Sequence, residues 1–350
     1  LFYDAPVKIT RRALNRATLA RQMLLQRERV APLDAIARLA GMQAQLAKPP
    51  FAGLWTRLES FAAGDLRALI AKRKVVRATL MRGTIHLVTA KDFLAWRSPI
   101  QPVLDAGAAR GGEQNVARLT AVARTFFDEQ PRPFDALRKH LAERFPDTNE
   151  RMMAYAVRMH LPLVLVPDDS PWGWAGNAPF AVAETYLGKK IAASADAKDL
   201  ALRYLAAFGP ATAADFQTWS GLRTAKAVLE ELRPRLVTFE GEKKKSELFD
   251  LPDAPRPDED TPAPVRFLPE YDNLLLAHAD RARLMSEEHR QLMATNNLRI
   301  VGTFLVDGFV AGMWAAPKKG KQLELEPFVK LDRAAKKALD EEGSALAAFL

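Results

Sequence analysis

The sequence predicts an α+β fold in which compact helical units each end in a β-hairpin and a β-rich part follows. Three observations carry this reading. Apolar residues recur at helical spacing through much of the chain before residue 232. Short runs rich in β-branched residues, bounded by turn residues, close the helical stretches. A Pro- and Asp-rich segment, 251–264, then precedes strands that flank Asp307-Gly308, a strong two-residue hairpin signal.

In chain order, residues 10–25 carry the first apolar stripe. Leu33, Ile36, Ala37, Ala40 and Ala44 make the second, Phe51, Leu54, Trp55 and Leu58 the third, and 66–71 the fourth. Residues 75–80 and 84–88 read as strands around Arg82-Gly83. Helices closed by a hairpin form the winged-helix pattern, and the pattern recurs. Helices are expected over 134–141 and 149–160, followed by the apolar run 161–166 and a loop rich in Pro, Trp and Gly through Asn177. The third instance is the clearest. A helix over 199–208 stops at Gly209-Pro210, Thr212 caps a short helix to Trp219, and Ser220-Gly221 makes the turn. A second helix, 222–232, completes a helix-turn-helix and ends at Pro234. Strands 236–239 and 247–251 follow, with Lys243, Lys244 and Lys245 at the wing tip between them. Strands over 299–306, 309–314 and 323–329 and a terminal helix over 331–350 complete the chain. The expected fold class is thus α+β with tandem winged helix-turn-helix modules over 1–105, 106–194 and 195–260, and a C-terminal β-rich subdomain over 261–350.

A chain of 350 residues is long enough for several cores. Lys and Arg (51) exceed Asp and Glu (42), and the formal charge of +9 favours polyanionic partners such as nucleic acid. An ordinary basic enzyme accommodates the same balance. The absence of cysteine excludes disulfides, thiolate nucleophiles and Cys-ligated zinc, and fits a reducing cytoplasm. No apolar run is long enough to span a bilayer and no secretory pattern opens the chain, so no membrane partner is expected. The five histidines show no close ligand spacing, and neither GxGxxG nor a P-loop is present, so no metal and no cofactor is expected.

Gln43-Ala44-Gln45 is the most informative short motif. An amide stays neutral at any working pH, so a glutamine orients a water or hydrogen-bonds a base or sugar rather than acting as a strong base. Such a pair suits a reaction whose leaving group is already good. A helix would separate the two glutamines by about 200°, whereas an extended segment puts both on one side with Ala44 opposite. The motif is therefore expected to be non-helical or at a helix end.

Several ordered blocks accompany it: RRALNRATLARQMLL from Arg11, GMQAQ from Gly41, PPFAGLWTRLESF from Pro49 and TLMRGTIHLV from Thr79. FGPATAADFQTWSGL from Phe208, FLPEYDNLLLAHADRARLM from Phe267 and LVDGFVAGMW from Leu305 continue them. Over nearly the whole chain they resemble the AlkZ-like winged-helix DNA glycosylases of bacteria. The resemblance implies tandem winged-helix modules around a concave DNA-binding face, with a smaller β subdomain. It implies hydrolysis of the N-glycosidic bond of alkylated purines; Lys48, three residues after the motif, reads as a phosphate contact or surface lysine rather than as a Schiff-base amine, so a monofunctional enzyme acting on duplex DNA is expected. The family's catalytic pattern is Gln, an apolar residue, Gln, and Gln43 and Gln45 fill both polar positions; a sister branch has Asp in the second. A monomer in the bacterial cytoplasm, associated with the nucleoid, is the matching expectation. A non-catalytic winged-helix DNA-binding protein or transcriptional regulator, and a protein that sequesters a DNA-reactive small molecule, are the alternatives.

Within this reading, DNA contacts are expected from Lys48, from the basic run Lys72, Arg73, Lys74 and Arg77, and from Arg82, Thr84 and His86 of the first hairpin. Arg223 and Lys226 at the start of the helix after Gly221, and Lys243 to Lys245, complete the set. Solvated faces and a structural hairpin with a satisfied histidine explain the same residues without DNA. Trp172 and Trp174 read as loop-to-core anchors or as wedges into DNA, and Glu270, Asp272, His278 and Asp280 as paired structural charge.

Overall fold

The computed structural model describes residues 7–108, 115–242, 246–293, 301–316 and 322–350. The chain is a mixed α and β protein, with three sheets among the described residues. The largest has five strands: β1 (Met42–Gln43), β2 (Val75–Thr79), β3 (Ile85–Thr89), β4 (Leu163–Leu165) and β5 (Phe180–Val182), in the order β1-β3-β2-β4-β5. Every pairing in it is antiparallel. Arg77 faces both Leu87 and Leu165 in register. One sheet therefore joins the segments expected as separate first and second modules, because apolar Leu163 to Leu165 finds its hydrogen-bond partner on the open edge of the first hairpin.

The sheet packs between two groups of helices. On one side lie helices Pro32–Arg38, Pro49–Trp55, Val116–Glu129, Phe134–Arg144 and Glu150–His160, whose Ile36, Phe51, Leu54, Phe127, Leu137 and Val157 share one apolar core. The other side packs on Phe93, Trp96, Leu104 and the third helical unit. That unit has helices Lys198–Phe208, Ala213–Ser220 and Ala225–Leu232, followed by the hairpin β6 (Val237–Glu240) and β7 (Glu247–Asp250). Thr212 caps the middle helix with Asp215 in a reciprocal capping box, as the Thr-x-x-Asp spacing requires. The helix after Gly221 begins at Ala225 rather than at Leu222, so the chain turns through Arg223 before entering it. Helices Ala90–Trp96, Gln101–Ala108 and Val116–Glu129 lie outside the expected set.

The last sheet has the order β11-β10-β9-β8, with β8 (Arg266–Leu268), β9 (Gly302–Val306), β10 (Phe309–Ala315) and β11 (Glu324–Pro327). Asp307 and Gly308 both have positive φ, the conformation a two-residue hairpin loop needs. This loop docks on the first helix, Arg11–Arg21: Arg16 Nη1 donates to the Asp307 carbonyl at 3.0 Å and Asn15 Nδ2 to that of Gly308 at 2.8 Å. Residues 299–300 of the expected strand, and Lys243 to Lys245, fall outside the described residues. Among those described, no helix is long and apolar enough to cross a membrane.

A buried ion pair ties the loop after β8 to the helical core. Arg57 donates to both carboxylate oxygens of Asp272 at 2.9 Å, and both side chains are almost fully buried. Arg57 also donates to the Gly53 carbonyl at 2.9 Å. Removing one partner leaves an uncompensated buried charge, so Asp272→Ala is expected to cost about 3–5 kcal/mol. Urea denaturation checks this, and a loss below about 1 kcal/mol would mean that the pair is solvated.

Candidate active site

The glutamine motif is not helical: Gln43 lies in a strand and Gln45 in the bend that follows it. Helix Pro32–Arg38 ends in two left-handed residues, Ala40 and Gly41, and the Gly41 N–H returns to the Ile36 carbonyl at 3.0 Å. Only glycine fits at 41: φ is +84°, and a Cβ there would lie 2.5 Å from Val88 Cγ1. The reversed chain enters β1, where Gln43 lies opposite His86 and Met42 opposite Leu87. The Ala44 N–H donates to the Ile85 carbonyl at 2.8 Å. Side-chain alternation sends Met42 and Ala44 into the core and leaves the flanking glutamines on the other side.

Three polar groups hold this strand from the side. Arg77 Nε donates to the Ala44 carbonyl at 2.8 Å and its Nη2 to the Gln45 carbonyl at 2.9 Å. Asn273 Nδ2 donates to the Gly41 carbonyl at 3.2 Å. Arg82 Nη2 donates to Gln43 Oε1 at 2.7 Å and its Nη1 to the Trp219 carbonyl. Burial pushes both guanidinium groups down to about 10, assisted by Arg158 at Arg77 and by Arg281 at Arg82; both remain cations at neutral pH.

Gln43 borders a narrow cleft with Gln22, Gly41, Pro49, Pro269 and Asn273. Its volume of about 10 Å³ is close to what one water centre occupies. A wider cleft of about 570 Å³ shares Pro49, Pro269 and Glu270 with it and continues past Lys48, Ala52, Gly302 and Trp314. Gln45 is exposed, and its Oε1 lies 3.5 Å from the Ile85 N–H, a long and weak contact. The motif thus offers one amide at a cleft the size of a single water and a second amide open to the outside.

The expected DNA contacts sort by burial. Arg77 and His86 are buried, and this corrects their assignment as phosphate contacts. Arg77 is held by the two carbonyls of the motif. His86 Nδ1–H donates to the Thr84 carbonyl at 3.1 Å, and burial, with Arg82 nearby, lowers its pKa to about 3. A neutral, enclosed imidazole has no charge to offer a phosphate. Lys72, Arg73 and Lys74 are exposed, but they lead into Val75, paired with Thr89 at the end of the hairpin away from Gln43. Three residues separate Thr89 from His86, roughly 10 Å along the strand. Arg73 is also engaged, donating to the Tyr186 carbonyl at 2.7 Å and lying over its ring. Lys48 is half-buried, 5.4 Å from the Trp172 ring, and burial lowers its pKa against the opposing effect of Glu270. Thr84 is half-buried with its hydroxyl on the Met81 carbonyl. Arg223 and Lys226 are exposed.

Trp174 is a core anchor, buried with its indole N–H on the Leu165 carbonyl at 3.2 Å, and Trp172 packs edge-on against Phe51. His278 is buried with Nε2 3.0 Å from the Phe208 carbonyl, and Asp280 accepts from the Ala282 N–H. Asn273, Arg57 and the Trp219 carbonyl were not expected at the site. The only sequence signal for Asn273 is a polar Asp-Asn pair set directly before Leu274 to Leu276.

A family model described as "DNA glycosylase AlkZ-like" matches residues 36–349. Among solved structures, the Streptomyces sahachiroi DNA glycosylase AlkZ matches with a TM-score of 0.79 over 98% of this chain and 97% of that one. The sequences are 21% identical, so this likeness speaks to the fold. No curated protein matches the chain.

The state of His86 has a pH signature. Its folded pKa, about 3, lies below the ordinary 6.5, so the unfolded chain takes up the proton first as pH falls. Its contribution to stability is complete above pH 6.5 and is lost progressively as pH falls toward 3. The urea midpoint is expected to fall with pH in that window, and less steeply in His86→Asn. Equal slopes would show that His86 is already protonated in the folded protein.

Proposed function

The chain belongs to the AlkZ-like DNA glycosylase family, and from that premise we propose that it hydrolyses the N-glycosidic bond of purines alkylated at N7 or N3 in duplex DNA, with Gln43 and Gln45 as the catalytic pair. The observation that carries this is the non-helical Gln43-Ala44-Gln45 segment, whose Gln43 lies in a strand and borders a cleft of one-water size. Such a purine carries a positive charge on its ring. When the C1′–N9 bond breaks, its electron pair stays with the base and cancels that charge, so the base needs no proton to leave. The sugar becomes oxocarbenium-like, the water oxygen bonds to C1′, and the surplus proton passes to solvent. A strong general base matters less here than in excision of a neutral base. Two neutral amides serve by fixing the water and the sugar and by orienting dipoles toward developing charge.

The wide cleft beyond Lys48 and Trp314 falls within the range of ligand-sized sites and gives a bulky substituent room beside the glutamines. Lys48 is read as a phosphate contact, which makes the enzyme a monofunctional hydrolase. The three helical units with their hairpins are read as winged-helix modules around the duplex, working as a monomer in the cytoplasm. Exposed Lys72, Lys74, Arg223 and Lys226 supply phosphate contacts that do not depend on sequence.

Single-turnover release of N7-methylguanine from a duplex containing one lesion tests the chemistry. The wild type is expected to release the base, and Gln43→Ala and Gln45→Ala each to lose roughly 10²-fold in rate. No release from this duplex or from one carrying a bulky N7 adduct, with DNA binding retained, would favour the non-catalytic DNA-binding alternative. Lys72→Ala combined with Lys74→Ala is expected to reduce the log–log salt slope of DNA binding by about 2 while leaving the rate at saturation unchanged. An unchanged slope would remove both lysines from the DNA face.

A further inference from the structure

We infer that Arg82 is a positioning residue that makes Gln43 a hydrogen-bond donor, and so divides the water-handling work unequally between the two glutamines. The inference deepens the function proposed above and rests on its placing the attacking water at this motif.

Arg82 sits between three segments that are distant in sequence. Its Nη2 reaches Gln43 Oε1 at 2.7 Å and, more weakly, Asn273 Oδ1 at 3.5 Å, while Nη1 reaches the Trp219 carbonyl. The Trp219 carbonyl lies in the last turn of helix Ala213–Ser220, where it has no intrahelical partner and where the helix dipole favours a cation. Gly221 lets that helix end come close: φ is +85°, and a Cβ there would be 2.6 Å from Val103 and 3.6 Å from the Arg82 backbone. Arg82 itself has φ +57°, a left-handed conformation that costs a residue with a side chain and persists only where surrounding contacts enforce it. The guanidinium is thus held at both ends.

The chemistry then follows from what an arginine lacks. It has five N–H donors and no acceptor. The atom of Gln43 that faces Arg82 must therefore be the carbonyl oxygen, which leaves the NH₂ group as the free part of the amide. Among the described residues no protein group accepts from Gln43 Nε2. At the one-water cleft Gln43 can donate to a water's lone pair or to an oxygen of the sugar, and with one of the two Oε1 lone pairs held by Arg82 its uncommitted hydrogen-bonding group is the donor. The less committed acceptor of the motif is Gln45, whose Oε1 has only the long contact to the Ile85 N–H to give up. Gln43 holds the water's oxygen, and Gln45 directs a water proton away from C1′.

This differs from the reading of Arg82 as a DNA contact. A phosphate contact acts on affinity, whereas a positioning residue acts on the rate once the complex is saturated. Arg82→Lys keeps the charge but loses the fork, and is expected to lower the single-turnover rate at saturating enzyme by roughly 10²-fold with lesion-duplex affinity unchanged. Arg82→Ala is expected to lose as much and to recover in part when guanidinium is added at concentrations that do not unfold the protein. Gln43→Glu keeps an acceptor for Arg82 but has no donor, so it should lose as much as Gln43→Ala. Gln45→Glu keeps an acceptor and should retain most of the rate. A second readout needs no reaction: the side-chain amide resonances of Gln43, assigned by their loss in Gln43→Ala, should shift in Arg82→Lys. An active Gln43→Glu, a change confined to affinity in the Arg82 variants, or unmoved Gln43 amide resonances would overturn the inference. Failure of the wild type to release base from either duplex would instead overturn the proposed reaction, and the amide resonances would still decide whether Arg82 holds Gln43.

Discussion

A guanidinium removed from water must find carbonyl or carboxylate oxygens, and three such groups surround the glutamine motif. Arg57 and Arg77 are buried beside it, Arg82 is partly buried, and each has its acceptors within the protein. Because an unpaired buried charge is so costly, these acceptors are compelled to stay where they are. The Ala44 and Gln45 carbonyls, the Gln43 amide and the Asp272 carboxylate are among them. The shape of the site is therefore set by charge that cannot be left unsatisfied more than by the apolar packing beneath it. This explains how a two-residue strand at a sheet edge, which has few ladder hydrogen bonds of its own, is held in one conformation.

The same constraint connects the parts of the molecule. Arg57 binds the loop after β8 to the helix carrying Gly53, and Asn273 of that loop then meets both the Gly41 carbonyl and Arg82. Arg82 reaches on to the end of helix Ala213–Ser220, next to the turn that carries Arg223. The cleft at Gln43 thus lies where the first helical unit, the third unit and the C-terminal part converge. A site assembled from three parts of a chain has its groups placed by tertiary contacts before substrate arrives, which is the condition under which neutral amides can contribute to catalysis by orientation. The neutral His86 fits the proposed reaction, in which positive charge would develop on the sugar and a second cation beside Arg82 would oppose it.

Much of this was legible in the sequence. The helix and strand periods, the Thr212 cap, the Asp307-Gly308 hairpin and the Gln43-Ala44-Gln45 motif each follow from local rules that act within a few residues. The family blocks are local too, which is why the identity of the chain did not wait for its fold. Of the helices between 90 and 129, only Gln101–Ala108 is interrupted by Pro and Gly; Val116–Glu129 carries Leu119, Ala123, Phe126 and Phe127 at helical spacing and is legible by the same rule. The late start of the helix at Ala225 reflects a turn at Leu222 to Thr224 that the apolar spacing does not reveal.

By itself the sequence determined which residues have the chemistry: two neutral amides at a spacing that needs extended backbone, a basic surface, and no thiol. Tertiary structure alone decided which cations face outward and which are built in. Arg77, Arg82 and His86 lie within 14 residues of Lys72 and Lys74 in basic or polar surroundings, and nothing local separates them. What separates them is β4 pairing alongside β2, the strand that carries Arg77, the end of a distant helix reaching Arg82, and the flanking strands that place Gln43 and Ala78 on either side of His86. For Arg77 and Arg82 the covering segments are more than 80 residues away, and no short-range rule can carry that information.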